Sequence, residues 1–285
     1  MYSRNERSPK TVNTKLSFRT LRIAVGFCLV LCSLATLAWG GLFPEASNTE
    51  VHEKKGLVVD ASHSDQGYVM IYRESKKVQK MRISNGKSTM TYDLSGTAEY
   101  EVFPLHKGDG KYKVEVFEQI SGKKFGQAAA VTFSAKLADK NLPYLYPNQY
   151  ITYVEESTAV AKAEEICANA TTDAEKLEAV YQYIVSNVVY DYVFAAEVGK
   201  GMHGGYIPYP DTTLEKSKGV CFDISALMVC MLRSQGVPTQ MVIGYADKTY
   251  HAWNSVLING SWEHRDATLE ICNGQVKKYT PERIY

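Results

Sequence analysis

The stretch Gly219-Val220-Cys221-Phe222-Asp223-Ile224-Ser225-Ala226-Leu227-Met228-Val229-Cys230-Met231-Leu232-Arg233-Ser234-Gln235-Gly236-Val237-Pro238 decides the reading of this chain. From Cys221 to Gln235 there is neither Gly nor Pro, and Ile224, Leu227, Met228, Met231 and Leu232 recur at helical spacing. Gly236 followed by Pro238 is a helix stop. The helix therefore begins at Cys221 and puts its thiol among the unpaired backbone N–H groups of the first turn, at the positive end of the dipole. Both favour the thiolate, which is the nucleophilic form. Most free cysteines are instead small buried hydrophobes, and Cys230, in the middle of the helix, is read that way. Nine residues on one helix separate the two by ~13.5 Å along the axis, too far for a disulfide.

Thirty residues after Cys221 comes His251, in Tyr250-His251-Ala252-Trp253-Asn254, and fifteen more lead to Asp266, in Trp262-Glu263-His264-Arg265-Asp266-Ala267-Thr268. Asn259-Gly260 separates the strand-like runs Tyr250–Ile258 and Ser261–Thr268, and Asn-Gly is a strong hairpin signal because both turn residues need positive φ. A two-residue loop sets Ile258 opposite Ser261, Trp253 opposite Asp266 and His251 opposite Thr268. His251 and Asp266 then share a face as diagonal neighbours, roughly 5.5–7 Å apart at Cβ. A single bulge would move them to opposite faces. His264 falls on the same face and is the competing imidazole, read as an ordinary strand histidine. A thiol, an imidazole and a carboxylate in this order are the parts of a nucleophilic cysteine site.

Gly-Val-Cys-Phe-Asp at the helix start, Arg-Ser-Gln-Gly-Val-Pro-Thr at its end, and then Gly-Tyr, His-Ala-Trp-Asn, Asn-Gly-Ser-Trp and Asp-Ala-Thr resemble the transglutaminase-like superfamily, most closely its bacterial extracytoplasmic members. The resemblance runs from about Thr172 to Thr268. It implies a papain-like α+β catalytic domain with Cys221 as nucleophile, His251 as base and Asp266 orienting the imidazole. Ala267 stands where the family often has proline. The calcium-binding acidic segments of the animal enzymes have no counterpart, so neither a metal nor a cofactor is implied. The family includes amide hydrolases, peptidases, cross-linking transferases and non-catalytic relatives.

The N-terminus sets the compartment. Arg4, Arg7, Lys10, Lys15, Arg19 and Arg22 against Glu6 give residues 1–22 a net charge of +5, which leaves −4 for the rest of a chain of +1. Ile23 to Pro44 carries no charge, and its first part is nearly all apolar. A basic flank before an apolar stretch marks a signal peptide or signal-anchor helix over 1–44, with the remainder extracytoplasmic, either membrane-anchored or secreted. Ala38-Trp39-Gly40 would serve as a cleavage site, and Cys28 and Cys32 read as apolar residues within the membrane segment. The charge balance offers nothing to nucleic acid.

Residues 45–56 read as a polar linker. Residues 57–138 change to short runs rich in Val, Thr, Tyr and Phe between turn signals, with strands expected at 68–73, 78–83, 88–93, 98–103, 112–118 and 129–135. Six or seven strands in this length indicate a small immunoglobulin-like β-sandwich. Gly110-Lys111-Tyr112-Lys113-Val114 resembles the tyrosine corner of such domains. The segment without chemistry would be a spacer or docking module.

Residues 139–285 form the catalytic domain. It opens with a helix near 159–168 and a second behind the capping box Thr172-Asp173-Ala174-Glu175. Asn187 to Asp211 reads as an irregular glycine-rich loop whose tyrosines wall the substrate cleft. His203 within it lacks the neighbours of a metal ligand, and the state of Cys167 and Cys272 is left open. The expected function is an extracytoplasmic cysteine-dependent acyl transfer on protein or peptide amides through a thioester. It would end in hydrolysis or in glutamine–lysine cross-linking, on substrates that include cell-wall or surface proteins. The alternative is a non-catalytic binding or assembly module at the cell surface.

Overall fold

The computed structural model describes residues 43–285 except Lys87. The basic segment, the apolar stretch with Cys28 and Cys32, and the candidate cleavage site lie outside the described residues. Among the described residues no helix is long and apolar enough to cross a membrane.

Eight strands come first: β1 (Val51–Lys54), β2 (Leu57–Asp60), β3 (Tyr68–Glu74), β4 (Gln79–Asn85), β5 (Ser88–Leu94), β6 (Thr97–Pro104), β7 (Gly110–Ser121) and β8 (Lys124–Ala135). They form two antiparallel four-stranded sheets, ordered β1-β2-β3-β6 and β5-β4-β7-β8. The alternate residues Val69, Ile71, Met81, Ile83, Val114 and Val116 are buried in one apolar cluster shared by both sheets. This is the period-2 pattern of strands with one wet face. β1 lies in the segment whose polar composition reads as linker. Its backbone pairs with β2, so a strand forms there without any apolar alternation. The Tyr112 hydroxyl on β7 reaches back to donate to the carbonyls of Leu105 (3.2 Å) and Gly108 (2.7 Å).

The remaining elements are α1 (Thr158–Cys167), α2 (Asp173–Asn187), β9 (Val189–Tyr190), α3 (Tyr192–Gly199), α4 (Pro210–Lys216), β10 (Lys218–Gly219), α5 (Cys221–Ser234), β11 (Thr239–Ala246), β12 (Thr249–Ile258), β13 (Ser261–Arg265), α6 (Ala267–Ile271) and β14 (Tyr279–Ile284). The capping box before α2 closes as its sequence requires: Thr172 Oγ1 accepts the Glu175 N–H, and the Glu175 carboxylate accepts the Thr172 N–H. α5 is the centre. It packs on α1, α2 and α4 and on the antiparallel sheet β13-β12-β11-β14. Its residues Asp223 to Ser234 are all buried, so the helix is enclosed on every side rather than along one apolar stripe.

The irregular loop expected over 187–211 instead contains β9 and α3, and α4 begins at Pro210. Seven residues free of glycine follow Asp191, whose carboxylate caps α3 by accepting the Phe194 N–H. Glycines are frequent only after α3, where the chain turns back.

Arg233, near the end of α5, is fully buried. Its guanidinium donates to three carbonyls, those of Thr239 (2.8 Å), Tyr146 and Tyr285 (2.9 Å). The hydrogen bonds offset part of the cost of removing the charge from water.

Candidate active site

Cys221 is the first residue of α5. β9 and β10 run parallel, pairing Gly219 with Tyr190, and Tyr190 and Cys221 line one cavity. Gly219 is required by contact: a Cβ there would lie 2.6 Å from the Asp223 side chain. The Asp223 carboxylate fixes the helix start, accepting the Val220 N–H (2.9 Å) and the Tyr206 hydroxyl (2.6 Å). Burial is the largest influence on this carboxyl and raises its titration, against the hydrogen bonds from Tyr206 and Val220.

The hairpin forms in the expected register. β12 and β13 pair Ile258 with Ser261 through to Asn254 with Arg265, about a turn in which Asn259 (φ 50°) and Gly260 (φ 78°) both take positive φ. The second strand ends three residues earlier than expected. Asp266 leaves the ladder and caps α6, its Oδ1 accepting the Leu269 N–H at 2.9 Å. The competing preference is local: Asp is a strong N-cap residue, and capping here also aims its other oxygen at His251.

The structure brings His251 and Asp266 together, with Nε2 at 2.8 Å from Oδ2 and side chains 12% and 4% exposed. Tyr279 of β14 donates to the same Oδ2 at 2.8 Å. Asp266 therefore accepts three hydrogen bonds. Burial pushes its carboxyl up, but the bonds from His251, Leu269 and Tyr279 outweigh burial and hold it below the usual range. For His251 burial is again the largest single influence and lowers its titration. Hydrogen bonds to Asp266 and to Cys221 overcome this and raise it to about 9. With Nε2 engaged by Asp266, the nitrogen left for the thiol is Nδ1. Trp253 stacks on His251, ring centroids 6.2 Å apart, and also packs on Tyr279 at 4.9 Å. Asn254 donates to the Ser225 carbonyl (3.1 Å) and so fastens β12 to α5.

His264 lies on the same side, its ring 4.2 Å from that of Tyr279. Burial lowers its titration, and the hydrogen bond to Asp266 is made by His251 instead. Cys230 is fully buried, and burial pushes its thiol well up. Cys167 and Cys272 are free thiols. His203 bonds to Glu197 at 2.8 Å.

Sequence reasoning missed Tyr279, Asp223 and Arg233 as parts of this assembly. Val220-Cys221-Phe222-Asp223 has the spacing of the second half of a capping box, a local signal that could have found Asp223. Tyr279 reaches the site only through the pairing of β14 with β11, which no local pattern encodes.

Residues 160–267 match the transglutaminase-like superfamily, and they include Cys221, His251 and Asp266. The chain has a mixed α/β architecture built around this transglutaminase-like core. Among solved structures it is similar to a candidate cysteine protease from Cytophaga hutchinsonii, at 20% identity and a TM-score of 0.40 over 74% of this chain and 78% of that one. It is also similar to the periplasmic domain of TgpA from Pseudomonas aeruginosa, at 12% identity and 0.36, over 78% and 96% of the two chains. Red sea bream transglutaminase follows at 13% and 0.27, over 70% and 48%. Likenesses at this level add nothing to the reading of the site. A search of curated proteins gave no match.

Proposed function

We propose that the transglutaminase-like core of this chain is a cysteine-dependent acyl-transfer enzyme acting on carboxamides of proteins or peptides, with Cys221 as nucleophile, His251 as acid and base, and Asp266 as the residue that orients the imidazole. The observation that carries this reading is the placement of His251. Its Nε2 is held at 2.8 Å by a buried carboxylate, and its titration is raised by bonds to both Asp266 and Cys221. An imidazole so held, next to the first turn of a helix, suits a site that takes up the thiol proton and later delivers it to the leaving group.

In this mechanism the Cys221 sulfur attacks the carboxamide carbon, and the carbonyl electron pair moves to oxygen. The Cys221 backbone N–H lies in the helix's first turn, where no intrahelical partner exists, and serves as one oxyanion donor. The intermediate collapses by breaking the C–N bond. His251 gives its proton to the departing ammonia or amine, leaving a thioester and a neutral imidazole. Water or a primary amine then attacks the thioester, and its proton passes to His251 as the thiolate leaves. Water gives hydrolysis, and a lysine amine gives a cross-link.

We assign β2–β8 to an immunoglobulin-like sandwich ahead of the catalytic domain, with the boundary near residue 138. The strand orders β2-β3-β6 and β5-β4-β7-β8 and the Tyr112 hydroxyl bonded to the Leu105 and Gly108 carbonyls support this. The basic flank and uncharged stretch of residues 1–44 support an extracytoplasmic location, membrane-anchored or secreted, facing protein substrates of the cell surface.

The test is incubation of the protein with a glutamine-containing peptide, with and without an alkyl amine, followed by mass spectrometry. Deamidation in water and amide exchange with the amine, both abolished by Cys221→Ala, are expected. Absence of any acyl adduct on Cys221 would refute catalysis and leave the binding-module alternative.

A further inference from the structure

The cavity that contains Cys221 and His251 has a volume of about 660 Å³. That lies within the range of pockets that enclose a ligand of several functional groups, and a single carboxamide side chain reaching the thiol would leave most of it empty. One wall is built from Tyr190, Val198 and Tyr206, the other from Ile243, Tyr250 and Ala252. Tyr250 is 50% and Val198 40% exposed. Two further lining groups, His203 and Arg283, are polar. His203 is already bonded to Glu197, while Arg283, beside the Tyr285 hydroxyl, keeps its positive charge.

The first wall is unusual for its composition. α3 reads Tyr-Val-Phe-Ala-Ala-Glu-Val-Gly, yet no residue of it is buried, and Tyr192 and Val193 are 67% and 69% exposed. A short helix this apolar normally turns a face to a core. Here the aromatic contacts Phe194–Tyr206 and Tyr190–Tyr192, each 4.9 Å between centroids, hold it in place beside the cleft. Tyr206 is itself tied by its hydroxyl to Asp223, three residues from Asp223's own partner Val220 at the helix start. The apolar wall, to which α3 contributes Ala195, Val198 and Gly199, is thus fixed to the same backbone that presents the nucleophile, and a concave, mostly apolar lining of this kind is what ligand clefts present.

We propose that this cleft selects an extended peptide by an aromatic or long aliphatic side chain next to the attacked carboxamide, with Val198, Tyr206 and Tyr250 as the specificity-determining walls. As a statement about substrate, this rests on the acyl-transfer reading. Arg283 in the lining makes a neighbouring lysine the least favourable residue of all, since its ammonium would meet apolar walls and a like charge.

Binding and turnover test it separately. The full chain carrying Cys221→Ala is titrated calorimetrically with acetyl-X-Gln-Gly-amide peptides in which X is Phe, Leu, Ala or Lys. The Phe and Leu peptides should bind at least about 10-fold tighter than the Ala peptide, and the Lys peptide weaker than Ala. Adding Val198→Asp, or separately Tyr250→Glu, both at exposed positions, should cut the Phe-to-Ala ratio to about 2-fold or less. A flat series in the unaltered cleft, a preference for Lys, or a ratio that survives both wall variants overturns the proposal. A flat peptide series with tight binding to phosphatidylcholine vesicles also overturns it and assigns the apolar surface to lipid. Selective binding with no turnover by the unsubstituted protein upholds the cleft's preference and refutes acyl transfer. Turnover with no preference does the reverse.

Discussion

Replacing Asp266 by Asn removes one charge and almost no volume, and the hydrogen bonds of this carboxylate dictate the outcome. Oδ1 accepts the Leu269 N–H and Oδ2 accepts both His251 and Tyr279. An asparagine has one oxygen for these two positions. If its oxygen stays on Leu269, the amide N–H₂ faces His251 Nε2. That nitrogen must then accept, so the ring proton moves to Nδ1, the side of the thiol, and the ring can no longer take a proton there. If the amide flips, it presents N–H₂ to the Leu269 N–H and α6 loses its cap, at a cost of ~0.5–2 kcal/mol. The first arrangement keeps the fold, so the expected phenotype is a stable protein in the wrong tautomer. The analogous carboxylate-to-amide change in a serine protease lowers kcat by ~10⁴, equivalent to ~5 kcal/mol of lost transition-state stabilisation. We expect a loss of about 10³–10⁴ in kcat/KM for peptide deamidation, with unfolding free energy reduced by no more than about 3 kcal/mol. The His251 titration, tracked by NMR of its ring C–H, should fall from about 9, because its bond to Asp266 is one of the influences raising it. Turnover within about 10-fold of the unsubstituted enzyme, in a folded Asp266→Asn protein, would refute the assignment of Asp266 as the orienting residue.

Stability should fall as the site loses its proton. The His251 folded value, about 9, exceeds the unfolded value of ~6.5, so the stabilisation is complete below ~6.5 and is lost as pH rises through about 9. The difference corresponds to at most about 3 kcal/mol. Urea unfolding measured between about pH 6 and 10 should show this decline, and His251→Gln should flatten it. His264→Ala should keep peptide turnover within about 10-fold, and a larger loss there with none in His251→Ala would make His264 the base. A fragment beginning at Asp139 loses the stacking of His106 on Tyr144 (4.9 Å) and the Tyr92–Tyr150 contact (6.4 Å). It should melt at a lower temperature yet still be alkylated by iodoacetamide at Cys221, and an insoluble or unreactive fragment would refute a boundary near residue 138.

Much of the site is written locally. Asn259-Gly260 fixes the turn and therefore the whole register from Ile258–Ser261 to Asn254–Arg265, because a two-residue loop leaves one pairing. Gly236 and Pro238 fix the end of α5 in the same way. Where two local preferences compete, sequence reading fails: alternation carried the second strand on to Thr268, while the capping preference of Asp266 ended it at Arg265. α3 was hidden by the glycines that come after it, since composition averages over the whole segment while a helix needs only a cap and a glycine-free run. Tyr279 and the carbonyl cage of Arg233 depend on segments brought together by packing. The burial of Arg233 contradicts the ordinary habit of a charged residue in a last helical turn, so only the assembled core reveals it.

β14 gives the site an order of completion during synthesis. Cys221, His251 and Asp266 all precede it, yet Tyr279 on β14 supplies one of the hydrogen bonds to Asp266, and the Tyr285 carbonyl beyond β14 receives a bond from Arg233 at the end of α5. Until that strand docks, Asp266 lacks a donor and a buried guanidinium lacks one of its three acceptors. A nascent chain thus exposes its thiol before the carboxylate behind the imidazole is fully held, and the proposed site is complete only once β14 has docked.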